Sequence, residues 1–119
     1  MTSLADTPCQ SCQAGDATPL DEARIRELLA QLPGWRIERV GGVAQLQKVY
    51  RFDDFAQALA FTNAIGALAE AENHHPALLT EWGRVSVSWW THSLNGLHPN
   101  DFVMAARCDR QALHQHRQD

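Results

Sequence analysis

Arg84-Val85-Ser86-Val87-Ser88-Trp89-Trp90-Thr91-His92 is the stretch on which the fold turns. Val85, Val87 and Trp89 fall with Thr91 on one face of an extended chain, and Ser86, Ser88, Trp90 and His92 on the other. The first face is that of a strand lying under helices. The second is half polar yet carries a tryptophan, which suits a sheet surface that meets a partner or lines a cleft. Just upstream, Leu78-Leu79-Thr80-Glu81 reads as a short strand and Trp82-Gly83 as the turn that joins it to this one.

Further upstream, Asp53-Asp54 can cap a long helix. Phe55, Leu59, Thr62, Ile65 and Ala69 lie along one of its faces, and Phe61, Ala64 and Leu68 along a neighbouring one. An apolar arc this wide exceeds what one sheet face needs, which points to self-association or to burial under the first helix. The helix closes over Asn73 to Pro76, since proline disfavours helical geometry at the residue before it. His74 and His75 therefore stand at a helix C-terminus, where the dipole favours imidazolium.

Towards the N-terminus, residues 1–17 lack hydrophobic periodicity and read as a mobile tail. Thr18-Pro19-Leu20-Asp21 reads as a helix start, with Thr18 as cap and Asp21 reaching back to it. Ile25, Leu28, Leu29 and Leu32 form one stripe, and Pro33-Gly34 ends the helix. Trp35 to Arg39 alternates as a strand, Gly41-Gly42 supplies a tight reversal, and Val43 to Phe52 returns with Leu46, Tyr50 and Phe52 on one parity. Downstream, Gly96 permits a turn. His98-Pro99-Asn100-Asp101 opens a last helix with Phe102, Ala105, Ala106 and Leu113 inward, and residues 115–119 should fray. The order is α-β-β-α-β-β-α: one α+β domain over residues 18–114, a four-stranded antiparallel sheet with three helices packed on one face.

At 119 residues the chain suits a single core. No apolar run approaches the roughly 20 residues of a membrane span, and Met1-Thr2-Ser3-Leu4-Ala5-Asp6 shows no secretory pattern; a cytoplasmic protein is expected. A formal net charge of −4, with no basic run, gives nucleic acid little to bind. Three cysteines suit a reducing compartment. Cys108 is read as a small apolar or half-exposed helix residue. Cys9 and Cys12 form a lone C-x-x-C, either plain tail or a redox- or metal-linked contact between subunits.

Glu70-Ala71-Glu72-Asn73-His74-His75-Pro76 and the later His92 concentrate imidazoles at the ends of rigid elements, where proton-transfer groups are mounted well. Glu70 lies one turn before His74 and can orient its ring. Zinc is the weaker alternative, because consecutive residues seldom turn both side chains to one ion and the common ligand spacings are missing. Asp101 has an equally good reading as the third-position acid of a helix cap. Trp82, Trp89 and Trp90 could stack on a flat ligand, although packing is the commoner use.

Ala69-Glu70-x-x-x-His74-His75-Pro76, followed by Thr91-His92, Gly96-Leu97 and Asp101, resembles the pterin-4a-carbinolamine dehydratase family. The resemblance extends over residues 20–113 through Gly34-Trp35, Lys48-x-Tyr50-x-Phe52-x-Asp54-Phe55 and Ala58-x-x-Phe61. Glu81-Trp82-Gly83, Trp89-Trp90-Thr91-His92-Ser93 and the Cys9/Cys12 tail resemble the family's bacterial branch, which accompanies phenylalanine hydroxylase. Asn73 stands where some members carry aspartate, and Trp90 where others carry a small hydroxyl residue. The resemblance implies dehydration of 4a-hydroxytetrahydrobiopterin to quinonoid dihydrobiopterin, recycling the cofactor of aromatic amino acid hydroxylases. It implies His74, His75 and His92 as catalytic residues, with the order of acid and base open. Glu70 would support the first histidine, Asp101 would lie near the last, and His75, Thr91 and Trp90 would contact the substrate. No metal and no cofactor is implied beyond the pterin substrate, and the assembly would be a homodimer or homotetramer. Animal relatives also serve as dimerisation cofactors for a homeodomain transcription factor, so a binding module or regulator without turnover is the alternative. An enzyme of the same fold acting on another pterin is a third reading.

Overall fold

The computed structural model describes residues 3–9 and 20–116. Its elements follow the expected order: α1 (Glu22–Leu29), β1 (Arg36–Val40), β2 (Val43–Arg51), α2 (Phe55–Glu72), β3 (Ala77–Glu81), β4 (Arg84–Trp89) and α3 (Pro99–His116). The strands form one antiparallel sheet in the order β1-β2-β4-β3. Gly41 and Gly42 both adopt positive φ at the β1–β2 reversal, which a Cβ would strain. Leu46 is paired with Trp89 and Tyr50 with Val85, so all four side chains share one face. They are buried there with Phe61, Ile65, Leu97, Phe102 and Met104. The α+β architecture, with three helices and a four-stranded antiparallel sheet, is as expected.

Several local expectations are corrected. α1 begins at Glu22, and Asp21 is itself its cap, accepting from the Arg24 backbone N–H at 2.8 Å; Thr18 and Pro19 lie outside the described residues. α2 is rotated relative to the face expected for it. Ala58, Phe61, Ile65 and Ala69 are buried, whereas Phe55 and Leu59 are 44% and 41% exposed. The sheet selects the row that brings Phe61 onto Tyr50 and Phe52, at ring centroid separations of 4.7 and 5.1 Å. In α3, Leu113 is 64% exposed because Cys108 and Ala112 occupy the inward row. Gln115, expected to fray, lies in α3 and donates to the Gln57 carbonyl at 2.6 Å.

The tail also has structure that no periodicity announces. Leu4–Asp6 forms a 3-10 turn against α3. Arg107 donates to the carbonyls of Ala5 and Thr7, and Arg110 pairs with Asp6 at 2.8 Å. Cys9 Sγ lies 3.8 Å from Met104 Sδ. Cys12 lies outside the described residues.

Candidate active site

The site is built where α2 ends and β4 runs out. Asn73 takes the left-handed conformation (φ 50°, ψ 43°), with its N–H and that of His74 returning to carbonyls in the last turn of α2. Asparagine tolerates this geometry better than most residues, which makes it a natural helix terminator. The change of direction separates the two adjacent imidazoles. His74 turns inward and is 9% exposed, whereas His75 stays at the surface.

His74 Nε2 lies 2.6 Å from Asp101 Oδ1, and its ring stacks on Trp89 with a 5.7 Å centroid separation and an 11° interplanar angle. Asp101 is fully buried. Its second oxygen accepts from the Thr91 hydroxyl and from the His98 backbone N–H, each at 2.9 Å. A buried carboxylate needs such partners to offset desolvation. With the carboxylate ionised, Nε2 of His74 carries a proton towards Asp101, and Nδ1 is left to exchange protons.

Glu70 does not support His74. It meets His75 Nε2 at 2.5 Å on the exposed side, because the left-handed Asn73 swings His74 away from the face of α2 that Glu70 occupies. Asp101 lies behind His74 and also bonds Thr91, the neighbour of His92, so it serves the helix cap and the imidazole at once. His92 begins a 3-10 turn, His92–Leu94, closed by Asn95 in the left-handed region. Thr91 holds the base of that turn by pairing with Gly96 across an isolated bridge. The Trp90 ring packs on His92 at 4.5 Å.

These groups meet at one open hollow of about 320 Å³, lined by Asn73, His74, His75, Thr91, His92 and Ser93. It falls at the lower end of the size range of small-molecule sites. His74, His75, Thr91 and His92 face it together. Glu70, Asp101 and Trp90 are not among its lining residues. Trp89 is core and Trp82 an exposed hairpin tip.

His98 opens α3 as its place before Pro-Asn-Asp indicates, and its ring serves the cap by accepting the Asn100 backbone N–H on Nδ1 at 3.1 Å. Burial lowers its pKa, against the nearby Asp101 carboxylate, and His74 adds to the lowering. Away from the hollow, Asp109 gathers Trp35 Nε1, Lys48 Nζ at 2.8 Å and the Tyr50 hydroxyl. Burial first, then neighbouring Cys108 and Asp109, push the Tyr50 phenol upward. No local pattern marks that cluster.

Fold and site together define an α+β protein with an imidazole-lined hollow backed by a buried carboxylate. The family described as pterin 4 alpha carbinolamine dehydratase matches residues 18–111. The chain belongs to that family. It is 54% identical over 109 residues to a Microcystis aeruginosa protein named "Putative pterin-4-alpha-carbinolamine dehydratase", covering 92% of this chain and 93% of the relative. A crystal structure from Brucella melitensis, titled as a transcriptional coactivator/pterin dehydratase, is similar with a TM-score of 0.72 and 33% identity, covering 80% of this chain and 99% of that one. A pterin dehydratase-like protein described as a RuBisCO assembly factor in the alpha-carboxysome is similar with a TM-score of 0.57 and 29% identity, covering 66% of this chain and 89% of the other. Among the described residues, no helix is long and apolar enough to cross a membrane.

Proposed function

We propose that this chain dehydrates 4a-hydroxytetrahydrobiopterin to quinonoid dihydrobiopterin, by histidine acid/base chemistry and with no metal or other cofactor. The observation that carries this reading is the meeting of His74, His75 and His92 at one hollow, with Asp101 buried behind His74. Loss of the C4a hydroxyl as water requires a proton on the leaving oxygen, and the new C=N bond requires removal of a proton from the ring nitrogen. His74 and His92, both lining the hollow, exchange these two protons, while His75, steadied by Glu70, binds the pterin. Asp101 keeps the His74 ring oriented and stabilises it when charged. Thr91 and Trp90 shape the wall around His92.

In this role the chain recycles the pterin released by an aromatic amino acid hydroxylase, phenylalanine hydroxylase foremost, in the cytoplasm. A homodimer or homotetramer is supported by Phe55 and Leu59, left exposed on α2; light scattering measures it. The test of the activity is whether purified protein accelerates the ultraviolet absorbance change of freshly generated 4a-carbinolamine. No acceleration overturns the proposal and favours a binding or regulatory role. Stoichiometric zinc in the pure protein would overturn the metal-free part.

A further inference from the structure

His98 is buried at the start of α3 and is not among the residues lining the hollow. Its Nδ1 accepts from the Asn100 N–H, its carbonyl accepts from the Asp101 N–H at 2.9 Å, and its own N–H donates to Asp101 Oδ2. This is a reciprocal helix cap with an imidazole where a hydroxyl or carboxylate oxygen usually sits. An oxygen acceptor keeps its lone pairs near neutrality. An imidazole nitrogen accepts only while unprotonated, because the imidazolium carries N–H on both nitrogens. A protonated ring would set a donor against the Asn100 donor, at the positive end of a helix. The carboxylate that closes this cap is also the one that holds His74.

We infer that His98 is a positioning residue for the site: its neutral imidazole closes the cap that keeps Asp101 on His74, and its protonation opens that cap and loosens the His74 ring. The effect on rate rests on the dehydratase reading; the effect on the His74 ring rests on the cap alone. The titratable groups that face His98 are Asp101 on its own helix and His74 from the connection between α2 and β3. Burial opposes charge on His98 most strongly and His74 also opposes it, whereas Asp101 favours it. The cap therefore stays closed to lower pH than an exposed imidazole would allow.

The test compares the unaltered chain with His98→Asn, which keeps an acceptor but does not titrate, and with His98→Ala, which removes the acceptor at every pH. Ring nitrogen and proton resonances of His74 are followed by NMR from about pH 8 to about pH 5. In the unaltered chain the His74 signals should show an inflection at the midpoint read from His98 itself. His98→Asn should abolish that inflection and move the acid limb of kcat/KM downward by about half a pH unit or more. His98→Ala should hold His74 in its loosened state at all pH values. An inflection and acid limb unchanged in His98→Asn would overturn the inference. If the unaltered chain has no dehydratase activity, that reading fails separately, and the His74 resonances alone decide whether His98 positions the ring.

Discussion

His74 and Asp101, 27 positions apart, share a 2.6 Å hydrogen bond in the buried floor of the hollow. The same carboxylate closes the start of α3 through its second oxygen. Orientation of the His74 ring and helix capping therefore share one side chain, and a disturbance of either is felt by both.

Replacing His74 or His92 by Ala should lower the dehydratase rate by roughly 10²- to 10⁴-fold each, the usual worth of a positioned proton-transfer group. His75→Ala should raise KM more than it lowers kcat, because its Glu70 partner is exposed and its assigned role is binding. Steady-state rates on fresh 4a-carbinolamine check both statements. Full activity in either of the first two variants would remove them from the mechanism.

Asp101→Ala should cost stability as well as rate. It leaves His74, the Thr91 hydroxyl and the His98 N–H without their buried acceptor. Each buried donor left without its acceptor costs about 1–3 kcal/mol, readable from denaturant unfolding. Thr91→Val, which removes a single donor, should cost about 1–2 kcal/mol.

Asn73 holds a left-handed conformation at the end of α2. Asn73→Gly should be tolerated, whereas Asn73→Val should destabilise by at least about 1–2 kcal/mol, since a Cβ branch is strained there. Because that residue aims His74 inward, Asn73→Val should also lower kcat. Thermal unfolding and rate measurements on the pair check this.

Stability should fall with acidification in a defined window. Burial lowers the His98 pKa in the folded chain, below the value of about 6.5 expected when unfolded. Between the two values the unfolded chain binds more protons, so stability rises with pH across the window. The contribution is complete above about pH 6.5 and is lost as pH falls through the folded value. Denaturant midpoints on either side of the window check this, and His98→Asn should flatten the slope.

Cys108 is fully buried beside Trp89 Nε1, and burial pushes its thiol up to about 12. Its alkylation at mildly alkaline pH should therefore track unfolding of the core rather than the reagent's intrinsic rate. Half-buried Cys9 should react in the native chain. Mass spectrometry of labelled peptides separates the two sites.

The sequence by itself determined the elements and their order, because those signals are local. Alternation identified β4 down to the inward placing of Val85, Val87 and Trp89, and Gly41-Gly42 marked the hairpin. His98 to Asp101 announced a helix start. The presence of His74, His75 and His92 was legible from composition near element ends, and a shared role for them was an expectation of family resemblance. Only the tertiary structure decided who pairs with whom. Glu70 meets His75 because a single left-handed residue redirects the chain between the two histidines. Asp101 reaches His74 because α3 packs back under β4, and Asp109 collects Trp35, Lys48 and Tyr50 for a like reason. Periodicity reports which face a residue shares with its near neighbours along the chain. Hydrogen-bond partners far apart in sequence are chosen by how faces dock, and no local pattern carries that information.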